Sequence, residues 1–247
     1  EKTKYSKFIY HLMSFCVVLD LDETIISTTS LRPPTEHFLK IKIPSIRRYL
    51  YLQFRPGLKD FIKEMTKNGI EIFIFTSEPK KVANPIIDAI ELNMFSSSQS
   101  NLNDKIAEKD YNLSSINNFI SQTIPQNHRF FREDCIIENG YYAKDLNIIN
   151  NIKNEKFYPI NNIILVDDML GNAQRQPQNL IKIKPWFGNE ENDNELLGYV
   201  LPLIMNRING NNKVNIENDI VLQSSSCLNE IRTKTPEESI CNDISLI

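Results

Sequence analysis

Three short apolar runs, each ended abruptly by polar or acidic residues, organise the chain. Phe15-Cys-Val-Val-Leu19 runs into Asp20-Leu-Asp-Glu-Thr24, Ile70-Glu-Ile-Phe-Ile-Phe75 into Thr76-Ser77, and Ile163-Ile-Leu-Val166 into Asp167-Asp168. Near-continuous apolar runs of this length mark strands buried on both faces. Between the first two, Leu58, Phe61, Ile62 and Met65 fall at i, i+3, i+4 and i+7, with Pro56-Gly57 before them and Asn68-Gly69 as the stop. That spacing predicts a helix. A second helix is expected from Pro79 to about Leu92, with Val82, Ile86 and Ile90 on one face; the interior Pro85 predicts a kink or a later start. A last helix is expected near Glu195–Asn206. Strands alternating with helices predict an α/β protein, a parallel sheet covered on both sides. Such sheets bind ligands at the carboxyl ends of their strands, where Asp20, Thr76 and Asp167 are expected to meet.

Residues 38–54 follow a different period. Leu39, Ile41 and Ile43 alternate with Phe38, Lys40 and Lys42, and beyond a turn Leu50, Leu52 and Phe54 alternate with Tyr49, Tyr51 and Gln53. Alternation in two runs predicts an antiparallel hairpin inserted between the first strand and the first helix. Residues 96–127 are rich in Ser and Asn and read as a polar surface insertion. The organisation expected is an N-terminal extension over 1–14, one domain over 15–206 and a polar tail over 207–247, with no internal repeat.

Composition narrows the function classes. Across 247 residues, 41% apolar and 24% charged content is that of a globular domain with a substantial core. A net charge of −3 and the lack of any long Lys/Arg run argue against direct nucleic-acid binding, which needs a concentrated basic face. The four cysteines lack zinc-knuckle spacing; Cys16 and Cys135 fall in apolar, strand-like runs and read as buried thiols of a reducing intracellular compartment. Three scattered histidines speak against a zinc enzyme or a Ser-His-Asp hydrolase. Seven glycines without a G-x-G-x-x-G or G-K-[ST] signature set aside a nucleotide-binding domain. No apolar stretch reaches the roughly 18 residues of a membrane span, and His11, Ser14 and Asp20 interrupt the run where a signal peptide would lie.

Asp20-x-Asp22 at one strand end and Asp167-Asp168 at another bring hard carboxylate oxygens together, a set suited to Mg2+ with substrate phosphate. A carboxylate can also attack phosphorus directly. A calcium loop is excluded by Ile25, which stands where that loop needs glycine.

Val17-Val-Leu-Asp-Leu-Asp-Glu-Thr24 resembles the signature of aspartate-nucleophile phosphatases of the haloacid dehalogenase superfamily. Arg55-Pro-Gly57, Phe75-Thr-Ser77, Phe131-Arg-Glu-Asp-Cys135, Lys144-Asp-Leu146, Val166-Asp-Asp168 and Gln176-Pro-Gln-Asn179 through Ile183-Lys-Pro-Trp-Phe-Gly188 follow in order. Together they resemble the phosphatases of the RNA polymerase II C-terminal domain, the nuclear-LIM-interactor-interacting-factor-like group. The resemblance implies a Rossmann-like haloacid dehalogenase fold and a Mg2+-dependent phosphoserine/phosphothreonine protein phosphatase, a monomer acting on polymerase-tail phosphoserines or another phosphoprotein in nucleus or cytoplasm. It implies Asp20 as nucleophile and metal ligand, and Asp22 as acid and base with its backbone carbonyl on the metal. Asp168, with Asp167 beside it, would complete the metal site. Thr76 and Lys144 would contact the transferring phosphoryl group, and Thr24 and Ser77 would lend supporting hydrogen bonds. Phe38, Tyr49 and Tyr51 either form a pocket for a substrate side chain or pack against the main domain. Trp186 reads as a packing anchor, Lys80 and Lys81 as surface charge.

The chain departs from the family pattern at Met169-Leu170, Ser77-Glu78-Pro79 and Val82-Ala83-Asn84, positions bearing on substrate preference. The alternative is a phosphatase-fold binding module without turnover, resembling the mitochondrial-import receptor branch. Retention of both Asp20 and Asp22 speaks against it.

Overall fold

A computed structural model describes residues 14–35, 37–95, 124–151 and 156–210. The N-terminal extension, most of the polar insertion and most of the C-terminal tail lie outside the described residues, as do Cys227 and Cys241.

The three apolar runs form β1 (Cys16–Leu19), β5 (Glu71–Phe75) and β9 (Ile163–Asp167). With β6 (Arg129–Phe130) and β10 (Leu180–Lys182) they make a five-stranded sheet of order β10-β9-β1-β5-β6. Every pairing in it is parallel. Why the runs are apolar throughout is visible in what each face meets. Val17, Leu19, Ile72, Ile74, Ile164 and Val166 enter one apolar cluster, while Cys16, Val18, Phe73, Phe75, Ile163 and Leu165 enter a second. Successive residues of a strand point to opposite faces, so a sheet covered on both sides favours apolar residues along the middle of its central strands and leaves the polar ones to strand ends and the edge.

Helix α1 (Leu58–Lys67) buries Leu58, Phe61, Ile62 and Met65, the four positions of its stripe. Gly57 before it has φ 79°, and a Cβ there would approach Leu197 Cγ to 2.8 Å, so both backbone and packing require glycine. Helix α2 (Lys80–Phe95) neither starts late nor breaks at Pro85. The proline leaves the Lys81 carbonyl without its helical donor, and Ser45 Oγ donates to it at 2.9 Å. Glu133 accepts from the backbone N–H of Lys80 at 3.0 Å and so closes the start of the helix. The last helix opens as a π-helical turn over Glu195–Val200 and continues as α3 (Leu201–Ile208).

The inserted hairpin is β3 (Leu39–Ile43) and β4 (Arg48–Phe54), with Leu39 opposite Leu52 and Ile41 opposite Leu50. Its apolar face joins the first core cluster. A third strand not expected from sequence, β2 (Ile26–Thr29), pairs with β4 and makes the small sheet β2-β4-β3. Beyond β6, β7 (Ile136–Glu138) and β8 (Tyr141–Ala143) form an exposed hairpin. Here the expectation for Cys135 fails: the residue ends a 3-10 turn ahead of β7 and is half-buried, and Ile137, two residues on, is 76% exposed. The polar insertion ends in core, because Ile124 is buried and its N–H donates to Glu91 Oε1 at 2.7 Å.

Candidate active site

Register places the acids. Leu19 lies opposite Val166 on one side and Ile74 on the other, so Asp20 leaves the sheet between Asp167 and Phe75-Thr76. Asp20 N–H still donates to Val166 O at 3.0 Å, and Thr76 N–H to Phe130 O at 3.1 Å. The sheet therefore holds these residues up to the point where their side chains diverge. After Asp20 the chain closes a tight turn in which Ile25 and Ile26 N–H donate to Leu21 O, with Glu23 at φ 61°.

Lys144, at the end of β8, is fully buried and donates to Asp20 Oδ1 and Asp167 Oδ2, both at 2.6 Å. Asn172 fixes this arrangement from two sides. Its carbonyl accepts Lys144 N–H at 2.8 Å, and its Nδ2 donates to both oxygens of Asp167 at 3.2 Å. Met169 N–H adds a bond to Asp167 Oδ1 at 2.8 Å. Thr24 Oγ1 lies between Asp168 Oδ1 (3.3 Å) and Asp20 Oδ2 (3.5 Å). Asp22 turns toward β2, where Thr28 Oγ1 donates to its Oδ1 at 2.8 Å. Gly171 brings the turn that bears Asn172 against β8, since a Cβ there would sit 2.2 Å from the Tyr141 ring.

Four carboxylates gather around one ammonium, and the carboxyls of Asp20, Asp22 and Asp168 are raised. Burial pushes Asp20 up to about 7; Lys144 pulls it down while Asp167 pushes it further up. Asp168 rises to about 8, from burial and then from Asp167 and Asp20. Asp22 rises to about 7, from burial and then from Glu78. Burial alone would lower Lys144, yet Asp167 and Asp20 hold its ammonium above the ordinary lysine range. Oxygens of Asp20, Asp167 and Asp168 lie within 4.8 Å of one another. Three hard oxygen donors short of positive charge fit a divalent cation such as Mg2+.

Thr76 is buried, and its Oγ1 accepts Glu78 N–H at 3.1 Å, which leaves the hydroxyl proton to be donated. Ser77 presents its carbonyl to Arg132 Nε at 2.5 Å, and Arg132 stacks on Tyr142 at 4.8 Å. Cys135 donates weakly to Thr76 O at 3.8 Å, and burial pushes its thiol up to about 12, far from a nucleophile. Phe38, Tyr49 and Tyr51 lie on the small sheet. Phe38 packs edge-on to Tyr51 at 5.2 Å under Arg32, outside both core clusters, and Tyr49 lies beneath Lys40.

Sequence reasoning passed over Asn172, Thr28 and the role of Arg55. The Arg55 guanidinium makes two bonds of 2.8 Å to Asp193, and Nη1 donates to Thr24 O at 3.0 Å. Trp186, buried as expected, donates its backbone N–H to Glu23 O at 2.8 Å and its indole N–H to Glu190 O at 3.2 Å. The C-terminal segment is thereby tied to the turn behind Asp20.

The family model of NLI interacting factor-like phosphatases matches residues 15–124 and 106–215. Among curated relatives, CTD small phosphatase-like protein 3 of Caenorhabditis elegans is 30% identical over 185 residues, 74% of this chain and 51% of that one. Phosphatase PSR1 of Saccharomyces cerevisiae is 27% identical over 190 residues, 76% of this chain and 35% of its own. The chain thus spans about half or less of the length of these two relatives. Among solved structures, the fission yeast RNA polymerase II CTD phosphatase Fcp1 aligns over 92% of this chain and 59% of that one, with 16% identity and a TM-score of 0.45. The chain belongs to the NLI interacting factor-like phosphatase family.

Proposed function

We propose that this domain is a Mg2+-dependent protein serine/threonine phosphatase working through an aspartyl-phosphate on Asp20. The observation that carries the reading is the buried Lys144 bonded to both Asp20 and Asp167, with Asp168 completing a carboxylate set. A lysine this deeply buried needs its charge compensated, and an oxygen cluster this acidic needs more cation than one lysine supplies.

In the proposed reaction an Asp20 oxygen attacks phosphorus and the bond to the seryl or threonyl oxygen breaks. Asp22, with its carboxyl near 7, gives its proton to that leaving oxygen. Water then attacks the aspartyl-phosphate, Asp22 takes the proton back, and inorganic phosphate leaves with Asp20 restored. Lys144 and Thr76 face the phosphoryl oxygens as charge and hydrogen-bond donors, the kind of fixed electrostatic support that dominates phosphoryl transfer. Mg2+ would be held by Asp20, Asp168 and the Asp22 carbonyl, with Asp167 beside them, and would neutralise phosphate charge. Phosphoserines of the RNA polymerase II tail, or of another phosphoprotein, are the proposed substrate class, in nucleus or cytoplasm. The names of the relatives support that class.

Hydrolysis of a generic aryl phosphate by the wild type and by Asp20→Asn, with and without Mg2+, tests the reading. Activity that needs metal and disappears in the variant is expected. No turnover under any of these conditions would leave a fold kept for binding.

A further inference from the structure

Away from its core side, the small sheet presents Lys40 opposite Tyr51 and Lys42 opposite Tyr49. We propose that this outer face is a docking surface for an extended acidic segment of the phosphoprotein substrate, held outside the active site. The inference deepens the phosphatase reading above and rests on it.

Charge is unevenly placed along the chain. Residues 27–54 carry Arg32, Lys40, Lys42, Arg47 and Arg48 against one acid, Glu36, in a protein of net charge −3. Arg32, Lys42, Arg47 and Arg48 are exposed and Lys40 is half-buried. None of the five has an ion pair among the described residues, whereas Lys63, Lys67, Lys156 and Lys184 on other elements each meet a carboxylate. Lys40 and Lys42 share a face two residues apart, about 7 Å along a strand. That is inside the roughly 8 Å over which physiological salt leaves charges to interact. An anion laid along the strand relieves their repulsion.

Aromatic rings hold these cations in place. Lys40 Nζ lies 4.4 Å from the Tyr49 ring centroid, the Arg32 guanidinium 5.4 Å from that of Phe38, and Phe38 meets Tyr51 edge-on at 5.2 Å. A ring under a cation orients the charge without cancelling it, and phenol hydroxyls donate to carboxylates. An extended peptide repeats its side chains on one face at the same spacing of about 7 Å, so carboxylates at alternate positions match Lys40 and Lys42. A nucleic acid would call for a longer basic stripe. An apolar partner would desolvate the lysines and give them nothing in return.

The active site explains why such a face is useful. Asp20, Asp167 and Asp168 crowd it with carboxylates, and Asp22 stands beside them, while a phosphoprotein is itself anionic. A separate cationic face supplies the attraction that the acidic end withholds. Topology keeps the two apart. Thr29 pairs with Tyr51 on the outer face, whereas Thr28, one residue earlier, points the other way and donates to Asp22 at 2.8 Å. A segment docked on the outer face leaves the side bearing Asp22 open, so phosphoserine and acidic run stand apart along the substrate.

Fluorescence anisotropy of a labelled peptide of alternating Glu and Ser tests the face without any turnover. The wild type should bind it saturably and should not bind the Gln–Ser counterpart. Salt of about 1 M, where the Debye length is roughly 3 Å, should abolish the complex. Lys40→Gln with Lys42→Gln should weaken binding about fivefold, and Lys63→Gln with Lys67→Gln on α1 less than about twofold. Lys42→Glu alone, at an exposed position, should give a comparable loss and guards against a folding defect in the pair. In a second arm, a phosphoserine peptide carries the acidic run through a Gly–Ser linker of about ten residues, up to roughly 33 Å long. The run should lower KM about fivefold in the wild type but not in Lys42→Glu, with aryl phosphate turnover equal in both. Absence of binding, equal binding of the Gln–Ser peptide, equal losses from sheet and helix lysines, or a KM indifferent to the run overturns the proposal. Tighter binding of oligo-thymidylate through the same lysines does so too, by making the face a nucleic-acid surface. Acidic-peptide binding without turnover of any phosphate ester would instead sink the catalytic reading.

Discussion

Lys144 is fully buried between two carboxylates, so removing it deletes the cation that pairs with both Asp20 and Asp167. Lys144→Met should lower kcat on an aryl phosphate by roughly 10²- to 10³-fold, the usual effect of losing one preorganised electrostatic contact. A loss below tenfold would show that Lys144 only balances buried charge. Asp22→Asn tests a different property. An aryl oxide leaves without much help, whereas a seryl oxide needs a proton; the variant should slow a phosphoserine peptide by about 10²- to 10⁴-fold and the aryl ester far less. Equal losses on both substrates would remove Asp22 from the role of acid. At this scale the sequence was readable in part. Asp20, Asp167 and Thr76 announce themselves as polar ends of apolar runs. Lys144 stands out only through its resemblance to a family motif, because nothing local separates a buried lysine from a solvated one. Asn172 and Thr28 were illegible, since each matters only through a neighbour brought to it by folding.

Among elements, the periodic ones were legible and the short or polar ones were not. The four-residue stripe of α1 and the alternation of β3 and β4 report which face is buried. β2, of sequence Ile-Ser-Thr-Thr, pairs along the outside of β4 and needs no apolar alternation, so its sequence looks like a loop. Pro85 does not delay the start of α2 for a tertiary reason: the carbonyl it orphans is satisfied by Ser45 from the turn between β3 and β4. The element most exposed to a single substitution is the segment leading to α3. Arg55 is buried and bonded twice to Asp193, and it also holds Thr24 O. Asp193→Ala would leave a buried guanidinium uncompensated, at a cost of about 3–5 kcal/mol, measurable as a shift of the denaturant midpoint. Because the clamp also fixes the turn behind Asp20, kcat should fall with stability. A midpoint within about 0.5 kcal/mol of the wild type would mean that the pair is solvated in solution.

At the scale of the molecule, the fold concentrates acidity at one end of its sheet, and that has a consequence for stability that no single residue displays. Asp20, Asp22 and Asp168 stand near 7, 7 and 8 in the folded protein without metal, against about 3.9 when unfolded. Their folded values are raised, so between these limits the folded state binds more protons than the unfolded state. Stability is then lost as pH rises through the folded values, and it is fully present only below the unfolded one. From pH 7 to 8.5 the three groups together give a loss of about 2 kcal/mol, on the order of 5 °C in Tm for a domain of this size. The Cys16 and Cys135 thiols, also raised by burial, act in the same direction but chiefly above this window. A divalent cation binds the ionised carboxylates and so favours the form that high pH produces. With EDTA, Tm should fall between pH 7 and 8.5; with millimolar Mg2+ the fall should be largely abolished and Tm at pH 8.5 raised. A Tm indifferent to Mg2+ at pH 8.5 would mean that the carboxylates do not form a cation site, and it would do so without any measurement of activity.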